Sequence, residues 1–236
     1  MEKDFRRLKT KVQALLAADE WEANLDAFEA YTPRQLIGPL FSTLLRMDEV
    51  RWRAVTALGL TVDRMFQNKA EDARIVMRRL MWNLNEESGN IAWGAPESMG
   101  EIMAVNATMA QEYSSILVSY MDDSITCGNF IDHPPLRRGV YWGLGRLAQE
   151  RPAILTKGAS AVCVGLEDCE DEQIPGLAAW VLSSMAGHLP GDVDPLPGLE
   201  ALQDNETDVE LYRGRRMETT TVGALAKEAL AALSGS

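Results

Sequence analysis

Indoles, carboxylates and carboxamides crowd into one stretch of this 236-residue chain, Arg78 to Glu101 (RRLMWNLNEESGNIAWGAPESMGE). Trp82, Asn85 and Glu86 precede a turn at Ser88-Gly89-Asn90, and Trp93, Glu97 and Glu101 follow it four residues apart. On a helix that interval keeps side chains on one face. An aromatic plate and two carboxylates are therefore expected along one side of the helix after the turn. Such a set suits stacking of a planar group, ligation of a hard cation or proton transfer by a carboxyl. Metal ligation is not expected, because the two histidines, His133 and His188, lie far away in sequence. The carboxylates are expected to be solvated and to favour the positive end of the helix they open.

Other reactive groups give weaker signals. Cys127, Cys163 and Cys169 form no C-x-x-C pair, which suggests neither a disulfide framework nor a zinc ribbon and fits a reducing cytoplasm. Cys163 lies in an apolar helix and Cys169 in an acidic loop, settings that disfavour a thiolate. Gly143-x-Gly145 sits inside a predicted helix with no strand before it, so it is not a phosphate loop. Arg137-Arg138 and the Arg213 to Arg216 turn would suit phosphate, but arginines in an acidic chain commonly pair with carboxylates.

Asp and Glu number 35 against 23 Lys and Arg, a net charge of -12. The average surface then repels nucleic acid and anionic membranes. No apolar run reaches the roughly 18 residues of a membrane span, and the charged N-terminus carries no secretory signal. A cytoplasmic protein with no cofactor is expected.

The elements that must hold these groups read as helical hairpins, and 46% hydrophobic content is ample for a core. Phe5, Leu8, Val12, Leu15 and Leu16 mark a first helix, with a short one over 20–30 placing Trp21, Leu25 and Phe28 inward. Thr32-Pro33 reads as N-cap and first position of the next helix, and Asp48 as the cap of another carrying Trp52, Val55, Leu58 and Val62. Val76, Leu80 and Leu84 form the inner stripe before the central turn; Ala95, Met99 and Met103 form the one after it. A fourth hairpin pairs 111–122 with a helix opened by Pro134-Pro135, across the long loop 124–133. A fifth pairs 152–166 with 173–187. Beyond the Pro/Gly-rich break 190–197, DVELY (208–212) and METTT (217–221) are strand-like, and Thr221 caps a last helix.

Gly59, Gly100, Gly145 and Ser183 recur at matching places in the second helices, at spacings of 41, 45 and 38. Two-helix units of about 40 to 47 residues mark HEAT-type solenoids. VRWRAVTALG, GVYWGLGRLA and IPGLAAWVLSSM resemble that family's second-helix pattern over residues 20–188, and Asp48 and Arg53 match its Asp and Arg in the first repeat. Over that span the chain is similar to HEAT-repeat proteins, the phycobilin-lyase type included. The NEESGxIxWGAPE string is similar to HEAT-repeat proteins of sulfate-reducing bacteria.

The fold expected is all-α, a right-handed α–α superhelix with a small C-terminal β-hairpin and terminal helix, the repeats in 1–190 and the cap in 191–236. Adding the period of 45 to Trp93, Glu97 and Glu101 lands on Arg138, Trp142 and Arg146. The expected site is thus a mixed surface of carboxylate, guanidinium and indole on the second-helix layer. The resemblance implies a non-catalytic scaffold whose concave second-helix face binds a protein or peptide, and the surface itself would suit a small polar ligand. The alternative is a small-molecule or nucleobase-handling enzyme, since some alkylpurine DNA glycosylases have HEAT-like folds; the acidic charge disfavours it.

Overall fold

Helix α1 (Glu2–Ala17) opens the computed structural model, which describes residues 2–85, 92–124 and 128–235. The chain forms two compact units, Met1–Val105 and Asn106–Ser236.

In the first unit α1 is followed by a 3-10 segment, Ala23–Ala30, where an α-helix is expected. Trp21 and Phe28 are buried there and Leu25 is half-buried. Helix α2 (Pro33–Leu44) starts as the sequence predicts: the Thr32 N–H donates to Gln35 Oε1 at 2.9 Å, and Pro33 fills a position that needs no N–H. Helix α3 (Val50–Asn68) is central, packing on α2, α4 (Ala70–Asn85) and α5 (Ala95–Val105) through a buried face that includes Val55, Leu58 and Val62. The Asp48 carboxylate before it takes the Arg46 guanidinium, which holds its pKa below the usual range.

Arginines of α3 finish off the N-terminal elements. Arg53 donates to the carbonyls of Leu16 and Ala18 at 2.9 and 3.1 Å, and Arg64 to those of Phe28 and Tyr31 at 3.2 and 3.0 Å. Such carbonyls at the ends of helical segments have no partner within the segment and need donors from elsewhere. In α4 the stripe holds at Val76 and Leu80 and loosens at Leu84, which is half-buried. Helix α5 buries Ala95, Met99 and Met103 as expected, but it also buries every other residue from Ala95 to Ala104. A helix enclosed on all sides belongs to the core rather than to a surface.

In the second unit Asn106 caps α6 (Ala107–Ser119), accepting from Met109 N at 3.0 Å. Helix α7 (Pro134–Glu150) begins at the expected proline pair. The expected long helix after it is broken into a 3-10 segment (Pro152–Gly158), α8 (Ala159–Val164) and another 3-10 segment (Gly165–Glu167). Gly158 and Gly165 punctuate it, each where a side chain would collide with Val118 or Tyr141. Helix α9 (Ile174–Ser184) packs on α7 and on the C-terminal α11 (Val222–Ser234), with α10 (Leu196–Leu202) beside α11.

Between α10 and α11, β1 (Asp208–Arg213) and β2 (Arg216–Thr221) form the antiparallel hairpin that the sequence predicts. Gly214 and Arg215 both take positive φ, which suits a two-residue turn between twisted strands. Val209, Leu211 and Tyr212 are buried, and Thr221 caps α11 by accepting from Ala224 N at 3.1 Å. Among the described residues, the protein is otherwise helical.

The repeat glycines have a steric reason. A Cβ at Gly59 would lie 2.6 Å from Glu101 Cγ of the next second helix, and one at Gly145 would overlap the Trp180 ring. Glycine recurs because it lets successive second helices approach closely.

Candidate functional site

The aromatic residues of the central stretch gather in the first unit. Trp82 and Trp93 share a groove of about 470 Å³ with Phe5, Phe41, Leu44, Leu45, Arg79 and Asn83. Helix α4 presents Arg79, Trp82 and Asn83, α2 presents Phe41 and Leu44, and α1 closes one side with Phe5. Trp82 is 56% exposed and Phe5 44%, although the spacing of α1 places Phe5 in the core stripe. Phe5 leans instead over Gly38, where a Cβ would meet its ring at 2.8 Å.

Two polar groups mark this groove. The Arg79 guanidinium stacks on the Phe41 ring at 4.2 Å and is its only charged lining group among the described residues. Asn83 is only 7% exposed, yet its carboxamide has no hydrogen-bond partner among the described residues. Its carboxamide opens on the groove, so Asn83 offers a donor and an acceptor to whatever enters. Sequence reasoning missed it: next to Trp82, it was one polar residue among many, although its spacing from Val76 and Leu80 puts it on the inner face of α4.

The carboxylates lie elsewhere. Glu97 and Glu101 are each 5% exposed, which corrects the expectation of solvated groups. The cause is the enclosure of α5. Glu97 Oε2 has no partner, and burial raises the carboxyl's pKa against the opposing charge of Arg51. Glu101 packs its side chain over Gly59 of α3. Asn85 is exposed at the end of α4, and Glu86 lies outside the described residues.

The α7 candidates belong to the second unit. Arg138 pairs with Asp171 at 2.9 Å and Arg146 with Glu150 at 2.8 Å. Trp142 is a core residue: its Nε1 donates to Tyr212 O at 2.8 Å, and its ring lies 6.4 Å from that of Trp180 and 6.2 Å from that of Tyr212. Arg137 is held by Asp168 and Glu170, and Arg213 by Glu218 and Glu228, so these arginines make ion pairs. Burial and the charge of Asp194 push the Cys163 thiol up, against a nucleophilic role. Among the described residues no His, Cys, Asp and Glu cluster has the makings of a metal site, and no helix is long and apolar enough to cross a membrane.

No protein-family profile matches the chain. An uncharacterised protein of Archaeoglobus fulgidus is 27% identical over 190 residues, covering 80% of this chain and 92% of that one. Among solved structures, a designed armadillo repeat protein is similar with a TM-score of 0.51. A structure described as computationally designed armadillo repeat proteins for modular peptide recognition gives 0.52. Both are 15% identical, covering 94% of this chain and 98% of their own. At that identity the likeness speaks for the fold alone: this chain has a helical-repeat fold, and armadillo and HEAT units share their range of repeat lengths.

Proposed function

We propose that the protein is a non-catalytic, HEAT-like repeat scaffold, repeats over 1–190 and cap over 191–236, that binds a protein or peptide partner in the cytoplasm. The observation that carries this reading is the groove of the first unit. Phe5, Leu45 and Trp82, three of the seven large apolar side chains exposed among the described residues, converge on it around the Asn83 carboxamide. Scattered apolar residues need no explanation, but a gathered set marks an interaction surface. One of the similar folds was designed for peptide recognition, which agrees with the same use here.

The chemistry of the groove defines its occupant. Trp82, Trp93 and Phe41 suit an apolar or aromatic side chain. Asn83 suits the N–H and C=O of a peptide unit, and Arg79 suits a carboxylate beside it. Of the expected site residues, Trp82 and Trp93 line the groove, while α1 and α2 with Arg79 and Asn83 of α4 supply most of the rest.

Selection of a random dodecapeptide library on the full chain tests this. Enriched sequences should combine aromatic with acidic residues and lose binding to Trp82→Ala. Enrichment of nothing, or of peptides indifferent to Trp82→Ala, would end the reading.

A further inference from the structure

The second unit holds a larger cavity, about 870 Å³, between the end of α6, the first turn of α7, α8 and the acidic turn 167–170. Its lining has two parts of different standing. Arg137, buried at the base of α7, holds Asp168 and Glu170 at 3.0 and 2.7 Å and donates to the carbonyl of Ile131 at 3.0 Å. Asp168 in turn accepts from the backbone N–H groups of Glu170 and Asp171, both at 2.9 Å, so the acidic turn is fixed in place by that one guanidinium.

The second part is unsatisfied. Asp123, Asp132 and Glu167 line the cavity with no hydrogen bond or ion pair to their carboxylates among the described residues. Lys157 is the one cation of the lining that is likewise unpaired among them. Three open carboxylates outnumber it. Deeper in, Tyr141 is only 2% exposed, and its hydroxyl has no partner although it reaches the cavity wall. That hydroxyl occupies the space a side chain at Gly165 would fill. The phenol is thus held by packing with its hydroxyl open to the cavity. Apolar surface flanks this depth on the outside: Phe130, Ala161 and Val164, the last 71% exposed.

We propose that this cavity receives a lysine or arginine side chain of a partner peptide, its charged head between the open carboxylates and the Tyr141 hydroxyl and its methylene stem along Val164 and Ala161. The phenol oxygen accepts from the ammonium or guanidinium, and the carboxylates neutralise it. A peptide is favoured over a compact cation by the apolar lip, which a stem can cover, and by the spread of the carboxylates around the rim. The inference does not depend on the groove, because the lining belongs to the second unit alone.

The test is fluorescence anisotropy with a labelled octapeptide alternating lysine and alanine, its norleucine counterpart, and free spermidine as competitor. The lysine peptide should bind the full chain and the norleucine peptide should not. Tyr141→Phe, and separately Asp132→Asn with Glu167→Gln, should each weaken binding at least tenfold with melting temperature unchanged. Glu200→Gln with Glu206→Gln removes equal charge from residues that do not line the cavity and should leave binding within twofold. An equal loss in that control would show general attraction to an acidic surface and overturn the proposal. So would norleucine binding, indifference to both cavity variants, or spermidine binding where the peptide does not.

Discussion

The groove of the first unit and the cavity of the second are built from opposite materials. Aromatic and aliphatic groups wall the groove, with Arg79 as its single charge among the described residues; carboxylates rim the cavity, and its buried Arg137 is fully engaged. Yet each holds one largely buried side chain whose polar end opens on the hollow with no protein hydrogen bond among the described residues, Asn83 in one and Tyr141 in the other. Water can satisfy such a group in the free protein, and a ligand that displaces the water must replace its hydrogen bonds. Where the chain keeps one beside an opening, a ligand can supply what folding did not. The tryptophans teach the same distinction: Trp82 is exposed at a groove, whereas Trp142 is spent on the core.

The largest expected effect separates those two tryptophans. Trp142→Ala should destabilise the protein by about 3–5 kcal/mol, as loss of a buried aromatic does, seen as a lower chemical-denaturation midpoint. Trp82→Ala should change stability by no more than about 0.5 kcal/mol. Equal losses would mean that Trp82 is structural and would dissolve the groove as a site. Binding should show the reverse order: peptides selected on the groove should lose at least about 1.4 kcal/mol, a factor of ten, on Trp82→Ala. Titration calorimetry measures it.

Glu97 gives a smaller, pH-dependent effect. Its carboxyl has a raised pKa because burial disfavours the charged form, the charge of Arg51 opposing. A carboxyl whose folded pKa exceeds its unfolded one stabilises the fold fully below the unfolded value, and that contribution is lost as pH rises through the folded value. Glu97→Gln should therefore gain stability over the parent as pH climbs from the acid range toward 8. Thermal melts at several pH values read this directly, and a constant gap would mean that Glu97 does not titrate as a buried acid.

Salt supplies the mildest test of the contrast. Raising it from 50 to 500 mM should weaken the lysine-peptide complex several-fold, because exposed charges are screened over shorter distances. A groove complex held by aromatic contact should stay within about twofold. Matching salt responses would erase the distinction between the two sites.

Much of the architecture was legible in the residues. Thr32-Pro33, Pro134-Pro135 and Thr221 fixed where α2, α7 and α11 begin, since caps and prolines act locally. The 208–221 hairpin followed from strand-like runs about a short glycine-containing turn. The glycines near every 40 residues announced the repeat, because only glycine allows second helices to approach at Gly59 and Gly145. The broken helix after Pro152 was less legible, since its glycines are placed to avoid Val118 and Tyr141, neighbours that only the fold supplies.

For the candidate sites, local pattern marked Trp82 and Trp93 but not their companions. Phe5, Phe41 and the pair Arg79 and Asn83 come from three helices, so spacing relates the α4 pair to each other but not to Phe5 or Phe41. Periodicity likewise put Glu97 and Glu101 on one side of α5, yet it carries no information about what covers that side. Sequence alone determined most of the helices, the Thr32 and Thr221 caps, the hairpin and the repeat period, whereas the expected Asp48 cap is absent, Glu49 standing before α3 with no side-chain cap. Tertiary structure alone decided which polar groups end buried and unsatisfied, because burial depends on neighbours brought together from distant parts of the chain.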